Sequence, residues 1–420
     1  MKTVSNISFA SFGRLRGFCG IYLAPLCTMV LILVSHPNCS NASSGRPEVN
    51  ATIVGDPALE RAAAVLAGTA GVEAGDPVLG SAPYGRYVAA MDRLWTQIEH
   101  SSVIPIRNWR EANVPTGYRH RSVTYFLSGV DFLNPNCFFP DAPEYLLVAM
   151  EPPGRVPSIG PENMERIFES MLASLQWFAR YNYFTTVGMA SDISRSELEG
   201  AVPVFLFFVA RLGHTPLSLE YFNLSEEGVM EQSDREQAQG VRIRFRDRDG
   251  ATVHDLIYLR ALLRNSTILA NTSTGRFLGQ HRAHRAYILK AAEYFFHLRG
   301  YEPLRQFVLS SADLVIEDDS GIPLRDFPAA RWMPGFFGEY VRPVSLGGLP
   351  NPPFQADLAG AFRAGARPIA FPYGYGSLRH PERSNLILFL RRLETSGRTG
   401  LHLPGALRGP MLFRANSEES

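Results

Sequence analysis

The chain has little cysteine, which limits how it could be cross-linked. Four cysteines occur in 420 residues, and three of them, Cys19, Cys27 and Cys39, lie near the N-terminus. If that segment is removed, Cys137 alone remains, and an intramolecular disulfide is excluded in the mature chain. Cys137 falls on a short predicted helix, where it is expected to be a small buried hydrophobic residue rather than a nucleophile.

The chain also lacks an excess of charge of either sign. Its 41 basic and 40 acidic residues give a formal net charge of +1. Domains that bind nucleic acids carry a basic surplus, so this composition argues against a nucleic-acid partner. The glycine-rich loops that bind nucleotides and the His-Glu-x-x-His motif of zinc proteases are absent as well.

The N-terminus has the pattern of a signal peptide over residues 1–42. Basic residues (Lys2, Arg14 and Arg16) precede the uncharged run Gly17–Val34, and small residues before Ser43 suit cleavage after Ala42. The pattern predicts export to a secreted or periplasmic location. The run is also long enough to stay as a membrane anchor, so a chain tethered by an uncleaved segment is the alternative. Otherwise no membrane span is expected in the mature chain.

The rest of the chain is predicted to form one globular domain. Residues 43–57 form a flexible tether rich in Ser, Gly and Pro, residues 58–400 a single α/β domain, and residues 401–420 an irregular tail. Asn-x-Ser/Thr triplets, which carry glycans only in a host that glycosylates exported proteins, occur several times, and they include those at Asn50, Asn223, Asn265 and Asn271.

The segment Ser122–Pro153 is the centre of the predicted fold. It combines the apolar strand Val123–Leu127, a polar loop, the short helix Phe132–Phe139 and a second apolar strand, Tyr145–Met150. This order is typical of a βαβ unit, and such folds place ligands at the ends of their strands. We therefore predict a mixed, partly parallel sheet covered by helices, with an N-terminal helical layer.

Periodicity predicts the other elements. Helices are expected at Ala58–Ala67, Tyr84–His100, Pro161–Tyr181, Pro203–Gly213, Ala283–Leu298, Tyr301–Leu309 and Asp357–Gly365. Strands are expected at Pro216–Phe222, Val241–Arg246, Thr252–Leu259 and Leu314–Ile316, aromatic loops at Trp332–Tyr340 and Pro372–Gly376, and a helix or strand at Leu386–Leu393.

Acidic residues follow several of the predicted strands. Asp131, Glu151, Asp318 and Asp319 each lie just beyond an apolar run. If those strands are parallel, the carboxylates meet at one edge of the sheet. There they could bind a divalent cation, or one carboxyl could be kept protonated by the charge of another. The alternative is that Asp131 caps a helix and Asp318-Asp319-Ser320-Gly321 forms a turn.

Ser128 is the nucleophile candidate, because it stands between a strand and a helix, as nucleophiles do in hydrolase elbows. Its flanks do not match Gly-x-Ser-x-Gly. His297 with Asp318 or Asp319 would complete a triad only through fold geometry. Two basic motifs have simpler interpretations. The alternating arginines of Val241–Arg246 predict a solvated sheet face, and His281-Arg282-Ala283-His284-Arg285 predicts a basic surface patch.

These motifs together resemble a family of exported bacterial proteins that has no assigned activity. The resemblance extends from about Leu59 to Leu390. It is carried by Ser128-Gly129-x-Asp131, Phe139-Pro140, Glu151-Pro152, Lys290-Ala291-Ala292-x-Tyr294, His297, Asp318-Asp319-Ser320-Gly321-Ile322-Pro323, Gln355-x-Asp357-Leu358 and Gly374-Tyr375. Leu127 and Val130 depart from it, since Phe and Pro are expected there. The resemblance implies that the acidic, Ser, Lys and His positions belong to one structural unit.

Two functions are compatible with these patterns. The first is an extracytoplasmic, hydrolase-like enzyme with Ser128, Asp131, Asp318, Asp319 and His297 as catalytic candidates, in which Lys290, Glu151 and Tyr375 bind a small polar or anionic ligand. The second is a non-catalytic ligand-binding or cell-envelope protein, in which the polar residues are caps and the aromatic residues Trp332, Phe336, Tyr373 and Tyr375 contact a ligand. Catalysis requires Ser128 and the aspartates to surround an open pocket.

Overall fold

A computed structural model describes the chain from residue 55 to residue 392 with short gaps. The described residues are 55–71, 75–182, 198–268, 270–283, 285–345, 352–377, 380 and 383–392. All of them belong to one compact unit. The predicted signal peptide, tether and tail lie outside the described residues, apart from the last part of the tether.

A mixed sheet forms the centre of the described part of the chain. Ten strands are hydrogen-bonded in the order β4-β3-β5-β6-β2-β1-β7-β8-β10-β9. They are β1 (Ser122–Phe126), β2 (Glu144–Ala149), β3 (Thr215–Leu224), β4 (Met230–Gln232), β5 (Gly240–Arg246), β6 (Val253–Arg260), β7 (Arg285–Leu289), β8 (Ala312–Glu317), β9 (Trp332–Gly338) and β10 (Asn385–Arg391).

Helices cover both faces of this sheet, so each face has its own hydrophobic core. One face packs against α1 (Pro57–Ala67), α2 (Ala82–Ile98), α3 (Ile104–Asn113), α4 (Leu133–Phe138), α5 (Met164–Tyr181) and α6 (Val202–Arg211). The other packs against α7 (Ser273–Gln280), α8 (Glu302–Ser311) and α9 (Ala356–Gly365). Side chains alternate between the two cores along a strand, and in β1 Tyr125 faces the first core while Phe126 faces the second. The predicted α/β class is confirmed.

The strand order creates a topological switch point between β1 and β7. The five central strands, β6-β2-β1-β7-β8, are parallel neighbours, and antiparallel strands flank them. The chain leaves β1 through α4, on the first face, to reach β2. It leaves β7 towards α8, on the second face, to reach β8. The connections therefore diverge at the carboxyl ends of β1 and β7, which is the position where open α/β sheets bind their ligands.

Two predicted elements differ from the structure. The predicted helix Ala283–Leu298 contains the strand β7 and one short 3-10 helix, Phe295–His297. A parallel strand buried on both faces is apolar throughout, so its pattern resembles that of a buried helix. The predicted aromatic loop Trp332–Tyr340 contains β9, and Trp332 lies in the second core rather than in an exposed loop. The central unit β1-α4-β2 and the helix α5 are confirmed.

None of the helices in the described ranges is both long enough and apolar enough to cross a membrane.

After β2, the backbone of Gly154 packs closely against the backbone of Glu199 and Gly200. This contact provides a test of the packing. Gly154 has φ +74°, and a Cβ built on it would lie 1.6 Å from the carbonyl oxygen of Glu199. We expect Gly154→Ala to lower the free energy of unfolding by about 2–4 kcal/mol, because the backbone would have to move. The measurement is chemical denaturation.

Gly279, in α7, is the matched control. A Cβ at Gly279 would meet no atom within 4 Å. Alanine there should raise the free energy of unfolding by about 0.5–1 kcal/mol, because it is the better helix former. Equal effects of the two substitutions would contradict the described packing.

Candidate functional site at the topological switch point

A buried ion pair occupies the switch point. Lys290 follows β7 directly, and Asp131 follows β1, so adjacent parallel strands bring them together. The Lys290 Nζ lies 2.9 Å from the Asp131 Oδ2, and each residue is 1% exposed. Taking both charges out of water is costly, and only close pairing with further hydrogen bonds offsets that cost. The pair is therefore a constraint on the whole edge of the sheet.

Further polar groups complete the shell of this ion pair. The Asn134 side-chain amide donates to Asp131 Oδ2 at 2.7 Å, and its backbone N–H donates to Oδ1 at 3.1 Å. The Tyr125 hydroxyl donates to Oδ2 at 3.4 Å. Lys290 also donates to the backbone carbonyl of Asn182, which follows α5. Burial lowers the pKa of Lys290, and the Asp131 carboxylate opposes that shift.

Asp318 lies at the same edge, directly after β8. Its Oδ2 accepts from the backbone N–H of Ala291 at 3.2 Å, and its Oδ1 accepts from the hydroxyl and backbone N–H of Ser320. Burial and then the charge of Asp319 raise the pKa of Asp318 to about 7. At neutral pH this carboxyl can therefore either donate or accept a proton.

The Asp319 carboxylate accepts hydrogen bonds from a different set of residues. The Tyr294 hydroxyl donates to its Oδ2 at 2.7 Å, and the Asn385 amide donates to its Oδ1 at 2.9 Å. Burial raises the pKa of Asp319 although these hydrogen bonds oppose the shift. The preceding Glu317 is also buried, and burial raises its pKa well above the ordinary value. The last residue of β8, Glu317, and the two acidic residues that follow it are thus all buried.

Backbone strain is concentrated in the segment after Lys290. Ala291, Glu293 and Tyr294 have φ values of 50°, 51° and 57°, in the left-handed region that residues with a Cβ rarely adopt. Such residues cost about 1–3 kcal/mol each and cluster at functional sites. The segment contributes the Ala291 N–H that binds Asp318 and the Tyr294 hydroxyl that binds Asp319. The strained segment therefore bridges the two aspartates.

A loop covers the carboxyl ends of β1, β7 and β8. We call this loop, residues Phe371–Ser377, the cover loop. Its Gly374 has φ +59°, and a Cβ there would lie 2.1 Å from Asp318 Oδ2, so the loop backbone rests on this carboxyl group. The Tyr375 hydroxyl accepts from the Glu293 N–H at 2.9 Å, and the Asn182 amide donates to the Pro372 carbonyl at 2.5 Å. In this state the switch point is closed to solvent.

The predicted catalytic residues are not all joined. Ser128 is 5% exposed, and its hydroxyl donates to the carbonyl of Gly129 at 3.1 Å. His297 packs edge-on against Tyr294, with ring centroids 5.5 Å apart, and burial lowers its pKa to about 4. Within the described residues the Ser128 hydroxyl makes no hydrogen bond to His297 or to an aspartate, and only the Ser128 backbone carbonyl accepts from the Asp131 N–H, at 3.2 Å. The structure thus gathers Asp131, Lys290 and Asp318 but shows no serine triad.

Glu151 and Tyr375 lie near the same edge. The Tyr258 hydroxyl donates to the Glu151 carbonyl oxygen at 2.7 Å and approaches its carboxylate at 3.5 Å. Burial and then the charge of Glu151 raise the pKa of Glu293. Tyr375 stacks on Tyr294 with ring centroids 5.9 Å apart. Both predicted ligand-binding residues therefore adjoin the strained segment.

The predicted basic surface patch is wrong for Arg285. This arginine begins β7, is 2% exposed, and donates to the Glu144 carboxylate and to the Val123 carbonyl. His281 lies 3.0 Å from the same carboxylate. Burial opposes the shift, but the hydrogen bond from His281 and the charge of Arg285 lower the pKa of Glu144 to about 2. The motif holds the opposite, amino end of the parallel strands together.

The predicted divalent-cation site lacks a ligand set in the part of the chain that the structure describes. There, no group of three His, Cys, Asp or Glu side chains is arranged to hold a metal ion. The carboxylates of Asp131, Asp318 and Asp319 are already bound by protein donors.

Sequence patterns missed several polar residues of the site. Asn182 terminates α5 with φ 57°, a conformation that asparagine tolerates, and this was the available signal. Asn385 opens β10 and was not singled out by any pattern. Tyr373, which was expected to contact a ligand in the binding-protein alternative, lies in the cover loop and is 0% exposed. Only the fold brings these three residues to the carboxyl ends of β1, β7 and β8.

Comparison with known proteins adds no relative: no family model, curated protein or solved structure matches the chain.

Breaking the ion pair from one side tests how it is held. We expect Lys290→Met to lower the free energy of unfolding by about 3–5 kcal/mol, because it leaves Asp131 charged, buried and unpaired. Adding Asp131→Asn should recover at least half of that loss, since the amide removes the charge and keeps the acceptor for the Asn134 N–H. Chemical denaturation of the single and double variants measures both effects.

Arg86 and Glu165 provide the control, because their side chains are 70% and 61% exposed and lie 3.3 Å apart. Arg86→Met should change the free energy of unfolding by less than about 1 kcal/mol. A double variant no more stable than Lys290→Met would contradict the assigned pairing.

The raised pKa of Asp318 gives the stability a defined pH dependence. The folded state binds this proton more tightly than the unfolded chain. The resulting stabilisation is complete below the unfolded pKa of about 3.9 and is lost as the pH rises through about 7. The difference in unfolding free energy between wild type and Asp318→Asn should therefore fall by up to about 1.4 kcal/mol per pH unit in that window. A pH-independent difference would show that Asp318 titrates normally.

Proposed function

We propose that this protein is an extracytoplasmic, hydrolase-like enzyme whose acid–base centre lies at the switch point between β1 and β7. The observation that carries the proposal is the meeting of Asp131, Lys290 and Asp318 at the carboxyl ends of parallel strands. This is the edge of an α/β sheet where ligands bind. Perturbed ionisable groups gathered at such an edge are typical of catalytic centres.

Each residue of the centre would have its own role in hydrolysis. Asp318 is the general acid and base, because a carboxyl group with a pKa near 7 both accepts a proton from water and donates one to a leaving group at neutral pH. Lys290, held by Asp131, supplies a fixed positive charge for oxygen atoms that become negative during hydrolysis. Ser128 lies on the loop that also carries Asp131, and its role as a nucleophile remains part of the proposal.

Access to this centre requires the cover loop to move. Asp318 and Lys290 are each 1% exposed, and Gly374 rests on Asp318. Loops that close over an active site exclude water during the reaction and open to exchange substrate and product. The bond from the Glu293 N–H to Tyr375 is one of the contacts that would open.

The extracytoplasmic location is part of the same proposal. It rests on the signal-peptide pattern of residues 1–42, which precede the described residues. The resemblance to exported bacterial proteins supports the same location and supplies no activity.

A non-catalytic ligand-binding or envelope-associated protein is the second candidate. The observation in its favour is that the acidic groups bind backbone N–H groups and are closed to solvent. Asp131 binds the N–H of Asn134, Asp318 that of Ser320, and Glu317 that of Ile322. In this alternative the polar layer stabilises the edge of the sheet, and the function lies on another surface.

Hydrolysis of chromogenic substrates separates the two candidates. The purified chain and its Asp318→Asn variant would be assayed against p-nitrophenyl acetate, p-nitrophenyl butyrate and p-nitrophenyl β-glucoside. We expect turnover of at least one substrate, with an inflection near pH 7. Asp318→Asn should lower kcat/KM by about 10²–10⁴-fold, which is the usual contribution of a general acid or base.

Circular dichroism of the variant would verify that it is folded. Turnover that is unchanged in Asp318→Asn would remove Asp318 from the mechanism. The absence of turnover with all three substrates would favour the binding protein.

A further inference from the structure

Three buried polar atoms around the ion pair have no partner among the described residues. They are the Oδ1 atoms of Asn134 and Asn182 and the hydroxyl of Tyr373. Their residues are 0%, 2% and 0% exposed. Asn134 hydrogen-bonds to Asp131, and Asn182 accepts from Lys290, so both belong to the shell of the ion pair. Buried polar atoms left without partners cost free energy, and they point to a missing ligand or water molecule.

Tyr373 differs from the other buried tyrosines of the described chain. The hydroxyls of Tyr145 and Tyr258 donate to backbone carbonyls at 2.7 Å, and those of Tyr287 and Tyr294 bind Ser311 and Asp319. The Tyr373 ring is fixed edge-on between Phe138 and Phe371. Burial raises the pKa of Tyr373 well above its ordinary value, and the charges of Asp318 and Asp131 act in the same direction. Gly374, the next residue of the cover loop, rests on Asp318, so the unpartnered hydroxyl belongs to the loop that covers the proposed acid–base centre.

The chemistry of these atoms defines the group that would satisfy them. The two amide oxygens only accept hydrogen bonds, so the ligand must donate to them. The tyrosine hydroxyl can donate or accept. A hydroxyl or ammonium group meets these requirements, whereas a carboxylate or phosphate oxygen offers no donor.

The charge of this edge of the sheet also favours a neutral or cationic ligand over an anion. Six carboxyl groups lie there: those of Asp131, Glu151, Glu293, Glu317, Asp318 and Asp319. Lys290 already pairs with Asp131, and burial keeps His297 neutral at neutral pH. An added anion would be repelled by every ionised carboxylate, whereas a cation would be attracted.

We propose that the switch point binds a neutral or cationic group rich in hydrogen-bond donors, such as a hydroxyl- or amine-bearing substrate, and rejects carboxylates and phosphates. The Tyr373 hydroxyl is its hydrogen-bond partner in the site. This inference depends on the proposed function in taking the switch point as the site. Of the polar or anionic ligand expected from the sequence, it keeps the polar alternative and drops the anionic one.

Three small probes test this specificity without requiring catalysis. Ethanolamine, ethylene glycol and glycolate share a two-carbon hydroxyl skeleton and differ in one group, which is an ammonium, a hydroxyl or a carboxylate. Because ligands of this size bind weakly, each would be titrated to about 100 mM at pH 7 and constant ionic strength. We expect ethanolamine and ethylene glycol to raise the Tm of the full chain by about 1–2 °C and glycolate to leave it unchanged.

Tyr373→Phe and Tyr145→Phe form the matched pair of variants. Tyr373→Phe should melt at the same or a higher temperature than wild type, because it removes an unpartnered buried hydroxyl, and it should lose the ligand-induced shift. Tyr145→Phe should melt at a lower temperature, because its hydroxyl binds the Phe139 and Pro140 carbonyls, and it should keep the shift. Comparing the two variants also removes general solvent effects of the probes.

Three results would overturn the inference. They are a Tm rise with glycolate as large as that with ethanolamine, an undiminished ligand-induced shift in Tyr373→Phe, and no shift with either ethanolamine or ethylene glycol. Failure of the proposed function is a separate result. If the probes bind as expected while no p-nitrophenyl substrate is hydrolysed, the donor-rich site remains and the hydrolase is rejected.

Discussion

The buried contact between Lys290 and Asp131 is the constraint on which the carboxyl edge of the sheet depends. Neither charge reaches water, so each must be satisfied by the other and by groups from elsewhere in the chain. Those groups come from α4, through Asn134, and from the end of α5, through Asn182. Two helices, two strands and the loops between them are thereby fixed around one ion pair.

The strand order explains why this pair lies where a ligand would bind. The connections after β1 and β7 leave on opposite faces of the sheet, so neither connection covers the carboxyl ends of these two strands. Asp318, from the next parallel strand, and the cover loop lie there instead. The same burial raises the pKa of Asp318 and lowers the pKa of Lys290, so both pKa values move towards neutral pH. This closed, polar and strained edge is the feature on which the proposed functional centre rests.

Local patterns predicted much of the fold but not the contacts of the site. The unit β1-α4-β2 was predictable because strand, turn and helix signals are adjacent in the chain. β7 was predicted to be part of a helix because Tyr287 and Ile288 fall at helical spacing with Ala291 and Tyr294. The strand itself is buried on both faces and shows no alternation that would have identified it. Lys290 and Asp131 are separated by 159 positions, so no local rule could pair them. Tyr373 was predicted to lie in a tight aromatic loop that contacts a ligand, but the turn residues beside it carry no sign of its complete burial.

The ionisation of Asp318 is the most direct test of a poised acid–base group at the switch point. The chain would be labelled with 13C at aspartate carboxyl carbons, and the Asp318 signal, assigned with Asp318→Asn, would be followed from pH 3 to pH 9. A midpoint near pH 7 is the expected result. A midpoint near the ordinary aspartate value of about 3.9 would contradict it, because Asp318 would then be a permanently charged turn residue without an acid–base role.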